Sequence, residues 1–322
     1  MTETPHTPRY HTDILGDGYQ QLTLHFPDDY DGPVVATLIR KKGTIASTKA
    51  VLYIHGFMDY FFQTEMAERF NQQGYDFYAL DLRKYGRSKR AHQTLFTVHD
   101  LREYDPEISK SLQIIGEEGH DQVILAGHST GGLICTLYAA HHPFHPLIKA
   151  LWLNSPFYDF SVNLLKKKVG LPLLSKLGAH LPNVRVPSGL NIWYVPSLHR
   201  DFHGEWDFNI LWKPKRYSSI SLGFIHAIHE AQKELRHGLH LPVPTLVMHA
   251  HQSYFPKKWG IQAQKSDLIL DVKDIERMAN KLQGDVTVMT IHNGMHDLVL
   301  SGPTVRDWVY QQLFSWLSNK KL

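Results

Sequence analysis

From about residue 50 onward, short apolar runs rich in β-branched residues alternate with longer stretches whose apolar positions recur at helical spacing. The runs at 50–54 ("AVLYI"), 76–80 ("DFYAL"), 123–127, 150–154, 245–250 ("TLVMHA") and 286–291 ("VTVMTI") predict strands. Helical patterns occupy 64–73, 100–118, 130–142, 218–236, 272–282 and 304–317. Asp100 and Asp271 stand where N-caps belong, and Pro303 suits a first helical position. Continuous apolar strands are what a parallel sheet covered by helices on both faces requires, so the alternation predicts an α/β fold. Ahead of it, 21–26 ("QLTLHF") and 34–40 ("VVATLIR") flank "PDDYDG" and predict an antiparallel hairpin at the sheet edge.

The alternation breaks between residues 157 and 217. That stretch is aromatic and irregular, holds Trp193, Trp206 and Trp212, and is too long for a connecting loop. It predicts a small cap inserted into the fold, dividing the chain into a core of 1–156 and 218–322 and a cap of 157–217. No internal repeat interrupts this plan.

Composition narrows the class. A chain of 322 residues with 43% hydrophobic and 20% charged residues has material for a sizeable core. The net charge of +3 is dispersed, with no concentrated basic face of the type nucleic acid requires. The single cysteine, Cys135, leaves no internal disulfide and fits a reducing compartment. The first twenty residues lack a basic segment followed by an apolar one, and no apolar run approaches the roughly 18 residues of a membrane span. The expectation is a soluble, cytoplasmic protein whose oligomeric state is not legible.

The stretch 123–135, "VILAGHSTGGLIC", then carries the chemistry. A Gly-x-Ser-x-Gly motif that leaves a strand and opens a helix is the pattern of a nucleophile elbow. Gly127 and Gly131 stand two residues before and after Ser129, where a Cβ would clash in so tight a turn. Ser129 is the candidate nucleophile, with a plain turn serine as the alternative.

The chain resembles the α/β-hydrolase superfamily, and within it the monoacylglycerol lipases and bacterial lysophospholipases of the serine aminopeptidase S33 type. The residues that carry the likeness are "YIHGFMDY" (53–60), "ALDLRKYGRSKR" (79–90), "LAGHSTGG" (125–132), "SDLILDVKDI" (266–275) and "NGMHDLVLS" (293–301). The resemblance implies the chain order serine, acid, histidine. It places the base at His296 in preference to His292, and the acid at Asp267 in preference to Asp271, which a helix cap explains. It departs from the usual pattern in Thr130 after the nucleophile and in a long stretch, "HQSYFPKKWGIQAQK", before the acid. An oxyanion hole would take backbone N–H groups from Phe57 and Thr130. In "DLRKYGRS", Arg83 is expected as an ion-pair partner and Gly86 as a turn residue.

The implied reaction is hydrolysis of a carboxylic ester through an acyl-enzyme, with no metal and no organic cofactor. Met58, Tyr60, Phe157, Tyr158 and Trp193 are the expected substrate-binding residues, suited to a monoacylglycerol- or lysophospholipid-like ester. A short-chain esterase is the neighbouring alternative. An aminopeptidase would need an acidic clamp, for which Asp159, Asp201, Glu205 and Asp207 are available, and a non-catalytic binding module remains a different class. "LLKKKVGLPLL" reads either as a solvated basic face or as a transient contact of the cap with an anionic lipid surface.

Overall fold

The structure, a computed structural model, describes residues 9–16, 18–216 and 219–322. Residues 1–8, the expected helix start at Ser218 and the expected boundary between Tyr217 and Ser218 lie outside the described residues.

Nine strands form one sheet: β1 (His11–Thr12), β2 (Tyr19–Asp29), β3 (Gly32–Lys41), β4 (Lys49–Ile54), β5 (Asp76–Asp81), β6 (Gln122–His128), β7 (Ile148–Asn154), and two later strands. A short antiparallel pair, β8 (Arg185–Pro187) and β9 (Ser219–Ser221), lies apart from it. β10 (Thr245–Ala250) and β11 (Val286–Ile291) complete the large sheet, whose order is β1-β2-β3-β5-β4-β6-β7-β10-β11. The ladders from β5 through β11 are parallel, while β1, β2 and β3 pair antiparallel. The predicted hairpin is longer than its apolar pattern and lies one strand in from the edge, which belongs to β1.

Strand periodicity divides the core in two. Along β4, Ala50, Leu52 and Ile54 face one side of the sheet, where they join Ile108, Leu112, Leu133 and Phe224. Val51 and Tyr53 face the other, with Met66, Phe70, Tyr310 and Leu313. The helices are α1 (Thr64–Gln72), α2 (Asp105–Glu117), α3 (Thr130–His141), α4 (Leu171–His180), α5 (Tyr194–Leu198), α6 (Leu222–Arg236), α7 (Val272–Ala279) and α8 (Pro303–Asn319). The predicted helix at 100–118 is a 3₁₀ turn capped by Asp100 and Glu103, followed by α2 with Pro106 in its first turn. This is the α/β-hydrolase fold. Among the described residues, no helix is long and apolar enough to cross a membrane.

The loop after β5 pins the hairpin to the sheet. Lys84, fully buried, pairs with Asp29 and Asp31 at 2.9 and 2.8 Å, and Arg87 bridges Asp13 and Asp81 at 2.6 and 2.9 Å. Arg83 meets the buried Glu107, so its expected ion pair is present. Gly86 has φ +41, and a Cβ there would stand 2.4 Å from Asp81 Oδ2.

Residues 157–216 contain a π-helical turn (Lys166–Gly170), α4, β8 and α5, more regular structure than the sequence suggested. Propensity missed these short elements because each is set by packing. α4 lies on α6 so closely that a Cβ on Gly178 would fall 2.1 Å from Leu222 O.

Candidate active site

The turn from β6 into α3 is as tight as its glycines allow. A Cβ on Gly131 would stand 2.3 Å from Ile54 O, and one on Gly127 would stand 2.5 Å from Gly131 O. Ser129 sits between them at φ 54 and ψ −117, a backbone region that residues with a Cβ rarely adopt. Its N–H donates to Asn154 O at 2.9 Å, which ties the strained residue to the end of β7. The first backbone N–H groups of α3 have no acceptor within the helix and present a positive end beside the serine.

His296 lies in the turn beyond β11, 2% exposed, with Nε2 3.0 Å from Ser129 Oγ and Nδ1 2.8 Å from Asp267 Oδ2. An ionised carboxylate only accepts, so Nδ1–H donates to it and Nε2 is left to accept from the serine. The other carboxylate oxygen, Oδ1, accepts the N–H groups of Ile269 and Leu270, both at 2.7 Å. Asp267 is fully buried, and its position answers the problem of the long preceding stretch. The chain leaves β10, loops out, and returns so that Ser253 bridges Asp267 and Tyr254 N–H donates to Asp267 O. The alternatives lie elsewhere. Asp271 caps α7, accepting from Lys273 N–H at 3.0 Å, and His292 is exposed beside His251.

Ser129 and His296 open onto a cavity of about 340 Å³, which the fully buried Asp267 does not line. Met58, Ser129 and His296 line it on the catalytic side with Phe57, Phe224 and Ile228; Phe157, Phe160, Val162, Leu190 and Ile192 line it from segment 157–216. Of the five expected substrate-binding residues, Met58 and Phe157 line this cavity and three do not. Tyr60 is buried and accepts from Asn209 N–H at 2.7 Å. Tyr158 is fully buried against Thr136, with 2.8 Å between the two hydroxyls. Trp193 turns its indole N–H to Lys257 O. Each therefore packs rather than lines, because its polar tip finds a partner in the protein. Phe224 and Ile228 went unread as cavity residues, since helical spacing marks an apolar face without saying what it faces.

The acids considered for an amine clamp all face away from the cavity. Asp159 meets Lys167 and Arg277, Glu205 meets Arg306, Asp207 meets Arg200, and Asp201 is largely exposed near His199. Among the described residues, Asp59 is the one carboxylate in the lining, and Lys213 Nζ lies 2.7 Å from it. His128, buried beside Ser129, is held well below the usual histidine range by burial first and by His296 second, so it is neutral. Asp297 accepts from Asn154 at 2.7 Å and Gln63 at 3.2 Å, and burial raises its carboxyl above the ordinary range. Among the described residues, Asp59, His128 and Asp297 are the group whose donor atoms approach as metal ligands do, within 4.8 Å. The ammonium of Lys213 already engages that recess, and no metal is assigned to it.

Residues 46–303 match the family described as serine aminopeptidase, S33. The AB hydrolase superfamily protein YisY of Bacillus subtilis is 24% identical over 223 residues, 65% of this chain and 75% of its own. The monoglyceride lipase of Saccharomyces cerevisiae is 28% identical over 175 residues, 51% of this chain and 54% of the lipase. The crystal structure of a soluble variant of that lipase with a substrate analog superposes with a TM-score of 0.66 at 19% identity, covering 97% of this chain and 96% of the other. At that identity the superposition establishes the shared fold.

Proposed function

The chain belongs to the serine aminopeptidase S33 family of α/β-hydrolases, and from that premise we propose that it is a serine hydrolase of carboxylic esters with an apolar acyl chain. The observation that carries the reading is the Ser129–His296–Asp267 hydrogen-bond chain at the floor of an aromatic and aliphatic cavity. Ser129 Oγ attacks the ester carbonyl while His296 Nε2 takes its proton, and Asp267 holds the resulting imidazolium. Backbone N–H groups of Phe57 and Thr130 receive the oxyanion. His296 returns the proton to the departing alcohol. It then activates the water that releases the acid and restores the serine.

Segment 157–216 acts as a cap over this cavity and sets substrate choice. A free amino terminus finds no uncompensated carboxylate among the described residues of the lining, which supports esters over peptides. Monoglyceride lipase among the relatives is consistent with a monoacylglycerol- or lysophospholipid-like substrate.

The cap's outer face supports a lipid source. Leu164, Leu165, Val169, Leu173, Leu177 and Leu181 are each at least 41% exposed, along the π turn and α4. Lys166, Lys168 and Lys176 are exposed among them, whereas Lys167 turns inward to Asp159. No Asp or Glu occurs from 160 to 200. An apolar face edged only by cations complements an anionic lipid surface.

Fluorophosphonate labelling of wild type against Ser129→Ala tests the serine hydrolase reading; equal labelling of the two would end it. A panel of nitrophenyl esters of rising acyl length tests the substrate, with turnover expected to peak at medium or long chains. Turnover confined to acetate and butyrate would reduce the proposal to a short-chain esterase.

A further inference from the structure

Among the described residues, the cap meets the loop after β4 around Asp59, Tyr60 and Phe62, the last with its ring 4.8 Å from that of Phe208. Asn209 N–H donates to Tyr60 Oη at 2.7 Å. The Trp212 ring stands edge-on to Tyr60 at 5.1 Å between centroids. Lys213 Nζ lies 2.7 Å from Asp59 Oδ2, with the lysine side chain 3% and the aspartate 1% exposed. Asp59 and Tyr60 are two and three residues past Phe57, the candidate oxyanion donor, and Met58 between them has φ 55. This loop is therefore strained and needs an external hold.

We propose that Lys213 is a positioning residue: seating the cap places its ammonium on Asp59, and that clamp fixes the loop that carries Phe57 at the ester carbonyl. The inference rests on the ester-hydrolase reading and adds to it that the catalytic geometry is completed by the cap. The ammonium suits the place. Tyr194, Phe62 and Phe208 surround it at 5.5, 5.6 and 6.0 Å, which favours a cation with few waters. Asp59 Oδ1 accepts the N–H of Tyr60, and among the described residues Oδ2 has Lys213 Nζ at 2.7 Å and His128 Nδ1, on a ring held well below the usual histidine range, at 3.8 Å, so Lys213 is the cation that offsets this buried charge. Removing one member of such a pair leaves an unpaired buried ion, whereas removing both does not. Loss of an aligned oxyanion donor lowers kcat by about 10²–10³-fold, and a displaced loop falls short of that limit.

The test is steady-state hydrolysis of 4-nitrophenyl butyrate by wild type, Lys213→Met, Lys213→Arg and the double variant Asp59→Asn/Lys213→Met, with folding followed by circular dichroism. Lys213→Met is expected to lower kcat by about 10–100-fold with KM within about three-fold. Lys213→Arg, which keeps the cation, should retain more than a third of wild-type kcat. The double variant should recover several-fold over Lys213→Met yet stay below wild type, because the unpaired charge is gone and the clamp is still missing. A Lys213→Met kcat within two-fold of wild type overturns the inference, as does a loss that the double variant fails to recover. Should Lys213→Met fail to fold, the double variant decides: kcat about 3–10-fold down at unchanged KM supports the clamp, and wild-type kcat overturns it. Wild type with no Ser129-dependent turnover overturns the ester reading, and this inference with it. Normal wild-type turnover with an indifferent Lys213 overturns this inference alone.

Discussion

The floor and the roof of the cavity are built on opposite terms. The floor is held by backbone: a strained serine between two glycines whose missing Cβ atoms leave room for Ile54 and Gly131 carbonyls, all at the buried end of a parallel sheet. Its functional atoms stay in place because little around them can move without breaking strand pairing. The roof is held by side chains. It shows leucines to solvent, carries short elements, and meets the loop after β4 through Asn209, Trp212 and Lys213. On the proposed hydrolase reading, the difference separates chemistry from selectivity: a floor that tolerates almost no change and a roof whose surface can vary.

Substitutions at the floor should break that contrast most severely. Ser129→Ala is expected to lower kcat by about 10⁴-fold or more while leaving the melting temperature near wild type, measured by ester hydrolysis and calorimetry. Asp267→Asn should lower kcat by about 10³–10⁴-fold through loss of the histidine's orientation. Asp271→Ala, only four residues on, should leave kcat unchanged and cost about 1 kcal/mol as a lost helix cap, read from urea unfolding. Equal kinetic losses at the two aspartates would remove the assignment of the acid.

Next comes stability of the floor itself. Gly131→Ala pushes a methyl group against the carbonyls of Ile54 and His55, neither of which can yield, and should destabilise by about 3 kcal/mol in urea. A second stability effect depends on pH. Burial pushes Glu107 up from its ordinary 4.5 to about 7 against the opposing pull of Arg83. The folded chain then holds a proton that the unfolded chain has released between those values. This contribution is complete below about pH 4.5 and is lost as pH rises to about 7. Glu107→Gln should flatten that decline relative to wild type, measured as urea midpoints at pH 5 and 7.5. An identical slope in both proteins would refute the protonated Glu107.

The smallest stability effect belongs to the roof. Leu165→Gln with Leu173→Gln should change unfolding free energy by no more than about 0.5 kcal/mol, since both side chains are already in water. The same pair should weaken co-sedimentation with phosphatidylglycerol vesicles severalfold. Unchanged sedimentation would sharpen the comparison differently, making the exposed leucines irrelevant to lipid.

Most of the floor was readable from residues in sequence. The apolar runs located β4 to β7, β10 and β11 to within a residue or two, because a doubly covered parallel strand admits few polar residues. The Gly127–Ser129–Gly131 spacing located the elbow, since only glycine fits two positions of that turn. These are local constraints, and a local pattern suffices to record them. His296 and Asp267 needed the chain order that a family resemblance supplies, and the stretch from 251 to 265 sets the acid far from the end of β10 in sequence.

What the sequence determined on its own is most of the sheet and the elbow, because steric and hydrophobic rules act between near neighbours along the chain. Tertiary structure alone decided which aromatics line the cavity, turning Tyr60, Tyr158 and Trp193 to protein partners and bringing Phe224 and Ile228 forward. It alone brought Lys213 onto Asp59 across 154 positions, showing the acids of the cap to be engaged elsewhere. Long-range pairing of charges leaves no periodic trace, since a buried ion needs its partner nearby in space and at no particular distance in sequence.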